Sequence, residues 1–281
     1  MVKTAKGMNI SELSPLPFGI IDSHAHLTDK VFRKVEEDVI LRAKKGGLKA
    51  VIVPGDSLEG SRAGLKLSED FPDFLRAAVG LHPYEAKVYT DETEQELARL
   101  SRHPLCVAVG EIGLDFRTDG TDPSPPPLQR QAFLRQMDLA QKLDLPVIIH
   151  CRNAYSELIS FLFLEKYRGM KGVVHCFSGT REEALALVEI GWHIGFTGTV
   201  TFMNAGVLRE AAAALPLEKI LIETDSPYLA PHPWRGLWPN EPVYVRLVAE
   251  TLAQCKNLPL GKVCQPTTQN AASLFGLSGK S

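Results

Sequence analysis

Six side chains in this 281-residue sequence could bind metal ions, and they share one kind of setting: His24, His26, Glu111, His150, His175 and Asp225 each stand at or just past the end of a short apolar run. His24 and His26 are two apart. On an extended chain that spacing turns both imidazoles to the same side, within reach of one ion. A single histidine at a strand end is usually structural. Four of them with two carboxylates, all in equivalent positions, point to a metal centre. Six donors exceed what one tetrahedral ion with an open position requires, whereas two ions sharing a carboxylate would use them all. Glu111 is the natural bridge, because a carboxylate has two oxygens to share. Such a centre activates water, and Asp225 can both ligate and accept the water's proton, so Glu111 and Asp225 form the expected catalytic pair.

The elements that would position these groups recur along the chain. Apolar runs rich in Val and Ile occupy Gly19–Asp22, Ala50–Pro54, Ala77–Leu81, Leu105–Gly110, Pro146–His150, Gly172–His175, His193–Thr197 and Lys219–Ile222. Each is too short for a helix and nearly all apolar, as in parallel strands buried on both faces. Helical patterns separate them: Phe32, Val35, Val39 and Ala43; Phe133, Met137 and Ala140; Val245, Val248, Ala249 and Leu252. Thr180 with Glu182 and Glu183 reads as a helix start. Eight strand–helix units predict an α/β fold, a TIM-type (β/α)8 barrel over residues 19–281, in which strand C-terminal ends carry the chemistry. The alternative is an open doubly wound sheet, but no GxGxxG fingerprint supports it. Residues 1–18 read as a lead-in of disordered type. The Pro-rich stretch Thr118–Pro127 reads as a stiff loop at the barrel mouth, and the Arg42–Lys45 cluster as a solvated helix face.

Composition sets bounds. The chain is 44% hydrophobic with a formal net charge of −2, so attraction to a polyanion must be local. Five cysteines without a CxxC pair suggest free thiols in a reducing, cytoplasmic setting. No run is long and apolar enough to span a membrane, and no obligate protein partner is indicated. His103 and His193 fall at the opposite barrel end and read as structural. His82 and His232 fall at the chemical end outside the ligand set, as candidates to touch substrate. Arg152 and Arg235 are candidates to hold phosphate oxygens. Strand alternation turns Cys151 and Cys176 away from the ligands, as small buried hydrophobes.

The stretches IIDSHAHL (20–27), VGLHP (79–83), VGEIGLDF (109–116), PVIIHCRNA (146–154), VVHCFSG (173–179) and IETDSPYLAPHPWRG (222–236) together resemble the TatD family of metal-dependent deoxyribonucleases, across about residues 19–276. The resemblance implies a TIM-type barrel with His24, His26, Glu111, His150, His175 and Asp225 as ligands of two divalent ions (Mg2+, Mn2+ or Zn2+). It further implies hydrolysis of phosphodiesters in DNA, trimming single strands from the 3′ end. Two departures stand near the mouth: Asn153, where the family often has Asp, and the stretch Gly236–Asn240, one residue longer than the common form. An aminoacyl-tRNA deacylase and a small-molecule amidohydrolase or lactonase are the alternatives on the same centre. Against the amidohydrolase, Glu111 stands where a bridging lysine would.

Overall fold

The computed structural model describes Leu16, residues 18–117 and residues 124–277. The lead-in other than Leu16 and Phe18, and positions 118–123 of the Pro-rich stretch, lie outside the described residues. Leu16 is buried in the core, so ordered packing begins before residue 19.

Eight parallel strands form one sheet in sequence order: β1 (Ile20–Asp22), β2 (Leu48–Val53), β3 (Leu75–Val79), β4 (Cys106–Asp115), β5 (Val147–Arg152), β6 (Gly172–Val174), β7 (His193–Phe196) and β8 (Ile220–Ile222). The helices between them are α1 (Glu36–Lys45), α2 (Leu58–Asp70), α3 (Asp91–Leu100), α4 (Pro126–Leu143), α5 (Tyr155–Leu162), α6 (Arg181–Glu189), α7 (Gly206–Ala214) and α8 (Val245–Lys256), followed by α9 (Gly261–Leu274). The fold is a (β/α)8 barrel. Thr180 and Glu183 form a reciprocal cap at the start of α6. Val35 departs from the predicted face: it lies at the helix N-cap and is exposed. The Arg42–Lys45 cluster is not simply solvated, because Arg42 pairs with Glu241 at 2.7 Å and Lys44 lies over the rings of Phe71 and Phe74.

Alternation along the strands makes two apolar layers. Inside, Ile21, Ile52, Ala78, Ala108, Ile148, Val173 and Leu221 fill the barrel, and Ala271, Leu274 and Phe275 from the end of α9 close its lower mouth. Outside, Ile20, Val51, Val53, Val109, Val147, Ile149, Ile194 and Ile222 pack against the helices. The seam between β8 and β1 is closed by Ser23 N–H to Ile222 O (3.1 Å), Asp225 N–H to His24 O (2.9 Å) and His26 N–H to Ser226 O (2.7 Å). Asp22 fastens the same seam by accepting from Thr224 N–H and Thr224 Oγ1. The closure of the barrel thus sets His24, His26 and Asp225 side by side.

Strand β4 contains an extra residue. Val109 pairs with Val147 and Ile112 with Ile149, so three steps on β4 match two on β5. Ala108 faces inward and Ile112 and Leu114 face outward. Strict alternation from Ala108 would have turned Glu111 toward the helices; the bulge reverses the parity and turns Glu111 and Asp115 inward.

Candidate metal centre

The six predicted side chains converge at the C-terminal mouth of the barrel. His24 Nε2 lies 3.1 Å from His26 Nε2, 3.4 Å from Glu111 Oε2 and 3.7 Å from Asp225 Oδ1. His26 Nε2 lies 3.5 Å from each of the same two oxygens. The other oxygen of Glu111 faces a second set. Oε1 is 2.7 Å from His175 Nε2 and 2.9 Å from His150 Nδ1, and those nitrogens are 3.4 Å apart. Among the described residues, three donor groups lie within 4.8 Å of one another: His24, His26 and Asp225; His82, Glu111 and His150; and His24, His175 and Glu223.

The surroundings fix how each imidazole presents itself. Asp115 Oδ2 is 2.9 Å from His150 Nε2, so when the ring is neutral its proton belongs there and the Nδ1 lone pair is left for an ion on the Glu111 side. Asp115 is itself held by Tyr84 Oη (3.0 Å) and by the Arg117 guanidinium (3.1 Å). His24 and His175 stack face to face, with centroids 3.9 Å apart. Both of their Nδ1 atoms are buried and lack a hydrogen-bond partner at normal distance. Glu223 Oε1 stands 3.7 Å from His175 Nδ1, inside the barrel and wholly buried. Glu223 fits because β7 carries Gly195 opposite it; a Cβ there would stand 2.7 Å from its carboxylate.

Electrostatics follow from burial and crowding. Burial alone pushes the Glu111 carboxyl up, but His175, His24, His82 and the hydrogen bond from His150 outweigh it and hold it well below the usual carboxylate range. Burial also raises Asp225, and the contacts with His26, His24 and His175 bring it below its ordinary value. For His175, burial lowers the imidazole while Glu111 and Glu223 lift it well above its ordinary value. Two buried carboxylates here draw positive charge, and each would cost several kcal/mol if left uncompensated. His82 differs: burial dominates, and despite Glu111 it is pushed down to about 3, so the ring is neutral. Its Nδ1 accepts from Tyr84 N–H at 3.2 Å, which puts the proton on Nε2, 3.7 Å from Glu111 Oε1.

The centre opens into a cleft of about 770 Å³ lined by His26, His82, Glu111, His150, His175 and Asp225, with Tyr84, Arg117, Arg152 and Tyr228 among its walls. Arg152 lies where the sequence suggested. Arg235 and His232 do not line the cleft. Trp234 turns inward against Tyr244, and Arg235 turns out over the ring of Phe202, with 4.4 Å from guanidinium carbon to ring centroid. His103 pairs with Glu69 and His193 faces Gly172 O, away from the centre. Cys151 packs in the outer layer as expected, buried at the base of the cleft wall. Cys176 is not: β6 ends at Val174, alternation ends with it, and at φ 45° Cys176 lines the cleft. Sequence reasoning missed Asp115, Arg117 and Glu223. Asp115 carried a readable signal, being an even number of residues from Glu111 on β4; Glu223 lies just past the end of β8.

The chain is similar to known proteins over most of its length. Residues 21–276 match the family model described as TatD related DNase. The chain is 37% identical over 259 residues to an uncharacterized metal-dependent hydrolase, YabD, of Bacillus subtilis, covering 92% of this chain and 100% of that protein. It is 37% identical over 268 residues to the 3′-5′ ssDNA/RNA exonuclease TatD of Escherichia fergusonii, with coverage of 92% and 100%. The crystal structure of YjjV, a TatD homologue from Escherichia coli, superposes with a TM-score of 0.85 at 34% identity, covering 92% of this chain and 98% of that one.

Proposed function

The chain belongs to the TatD family of metal-dependent hydrolases, and from that membership and the geometry of the centre we propose that it is a two-ion 3′–5′ exonuclease acting on single-stranded DNA ends. The observation that carries the reading is the Glu111 carboxylate, whose two oxygens face separate sets of nitrogen donors.

The donors fit metal ions. An ion bound tetrahedrally at about 2.0–2.1 Å holds its donors roughly 3.4 Å apart. The contacts among His24, His26, Glu111 and Asp225 run from 3.1 to 3.7 Å. His24, His26, Asp225 and Glu111 Oε2 would hold one ion; Glu111 Oε1, His150 and His175 the other. A nitrogen-rich set favours Zn2+ or Mn2+ over Mg2+, which prefers oxygen. Bound ions supply Lewis-acid activation of the attacking water and neutralise charge on the phosphoryl oxygens.

The chain's own groups do the rest. Asp225 turns Oδ1 to the centre, and its carboxylate accepts the water's proton. The Nε2–H of neutral His82 donates to a phosphoryl oxygen. Arg152 receives the neighbouring phosphate, and Asp115 and Glu223 keep His150 and His175 turned toward Glu111. The five cysteines are unpaired, which fits a cytoplasmic setting.

The test is a panel: 3′-labelled DNA and RNA oligonucleotides, charged tRNA and lactones, with chelated and metal-restored protein. The reading expects stepwise loss of 3′ nucleotides from single-stranded DNA, abolished by chelation and returned by a divalent ion. Full activity in protein shown by elemental analysis to be metal-free would overturn it.

A further inference from the structure

Two large aromatic rings stand together beside the cleft, each about half exposed, and Tyr228 lines its wall. Tyr228 is 44% exposed and Trp238 is 50% exposed, and their centroids are 5.5 Å apart. The other two tryptophans are packed away, Trp192 at 1% and Trp234 at 9% exposure. Leaving an indole half in water forgoes the burial that tryptophan ordinarily gains, and such patches mark binding sites.

The pair is held close to the chemistry. The Tyr228 ring is 6.1 Å from that of His26 and lines the cleft. Its hydroxyl donates to Asp29 Oδ2 at 3.0 Å, which fixes the ring plane. The loop carrying Trp238 is pinned by Asn240, whose amide donates to Thr224 O (3.1 Å) and Tyr228 O (2.6 Å), while its backbone N–H donates to Pro227 O (2.9 Å). Thr224 adjoins Asp225, so the platform and the centre share one support.

We propose that Tyr228 and Trp238 form a stacking platform for a nucleobase of the substrate strand, one nucleotide from the reacting phosphate. This rests on the nuclease reading above. Every base presents a π-face, so such a platform grips single strands without reading their sequence. A duplex hides those faces, so the platform favours unpaired ends. It also adds attraction that does not depend on cations, which suits a cleft with few of them.

The test compares oligothymidylate with the same strand bearing abasic 3′ residues. For W238A the expected result is a KM raised about 10-fold on the base-bearing strand with kcat within about twofold. On the abasic strand the two enzymes should have the same KM. W238F should restore most of the loss. Equal KM values for W238A and the wild type on the base-bearing strand, or an equal loss on both strands, would overturn the proposal. A separate readout is indole emission: a hydrolysis-resistant phosphorothioate oligothymidylate should quench the wild type, and W238F should abolish the quench. If the wild type cleaves neither strand, the nuclease reading fails, and the quench alone then decides: its presence supports the platform and its absence overturns it.

Discussion

Asp115 Oδ2 stands 2.9 Å from His150 Nε2, and this contact decides which nitrogen of the imidazole meets Glu111. Neither residue chooses alone. A neutral histidine has one lone pair, and the carboxylate on the far side directs it inward. Asp115 can do so because it follows Glu111 by an even number of residues on β4 and so shares its face, which the bulge turns inward.

Replacing Asp115 by Asn offers His150 Nε2 an amide that can donate, which favours the wrong tautomer. Metal affinity at the His150–His175 position should fall about 10- to 100-fold. Affinity at the His24–His26 position should be unchanged. Metal titration of the stripped variant, followed by calorimetry, checks this; equal weakening of both positions would contradict it.

Glu111→Ala should lower metal stoichiometry as well as rate if the carboxylate serves two ions, since each oxygen faces a different donor set. The barrel should still fold, because its core is the two apolar layers and not the centre. Elemental analysis beside circular dichroism is the measurement. A folded variant that keeps both ions and near-normal turnover would show that Glu111 is not a bridge.

For Asp225→Asn the loss should lie in turnover. An amide retains a ligating oxygen but accepts no proton, and removal of a general base costs about 10²–10⁴-fold in kcat. Oligonucleotide affinity should change little. If affinity falls and turnover does not, Asp225 positions substrate instead.

Binding of a short single strand should depend only weakly on salt. Arg117 and Arg152 are the cleft's arginines, and Arg117 already pairs with Asp115, while Asp56 and Glu85 line the same walls. Each phosphate neutralised on a single strand contributes a slope of about −0.7 in log K against log salt. Two or three contacts give roughly −1.5 to −2. Titration with a phosphorothioate strand at fixed free metal tests this, and a slope steeper than about −4 would require a cationic groove elsewhere.

The barrel was legible because its signals are local. A parallel strand buried on both faces must be apolar along its length, so β1 to β8 announce themselves within a few residues, as does the capped start of α6. The convergence of six side chains was legible for the same reason: His24, His26, Glu111, His150, His175 and Asp225 each follow an apolar run, and the barrel gathers strand ends on one face. Other decisions belonged to the tertiary structure. Whether Glu111 faces in or out depends on one extra residue in β4 relative to β5, a property of pairing that neither strand carries alone. Whether Cys176 is hidden depends on where β6 stops and alternation ceases. That Arg235 lies over Phe202 depends on how the connection after β8 settles on the one after β7, and that Tyr228 meets Trp238 on how the connection after β8 folds back on itself. Sequence fixes periodicity and therefore faces; contacts between segments far apart in the chain set register and loop packing, and only those bring two named atoms to within a bond's reach.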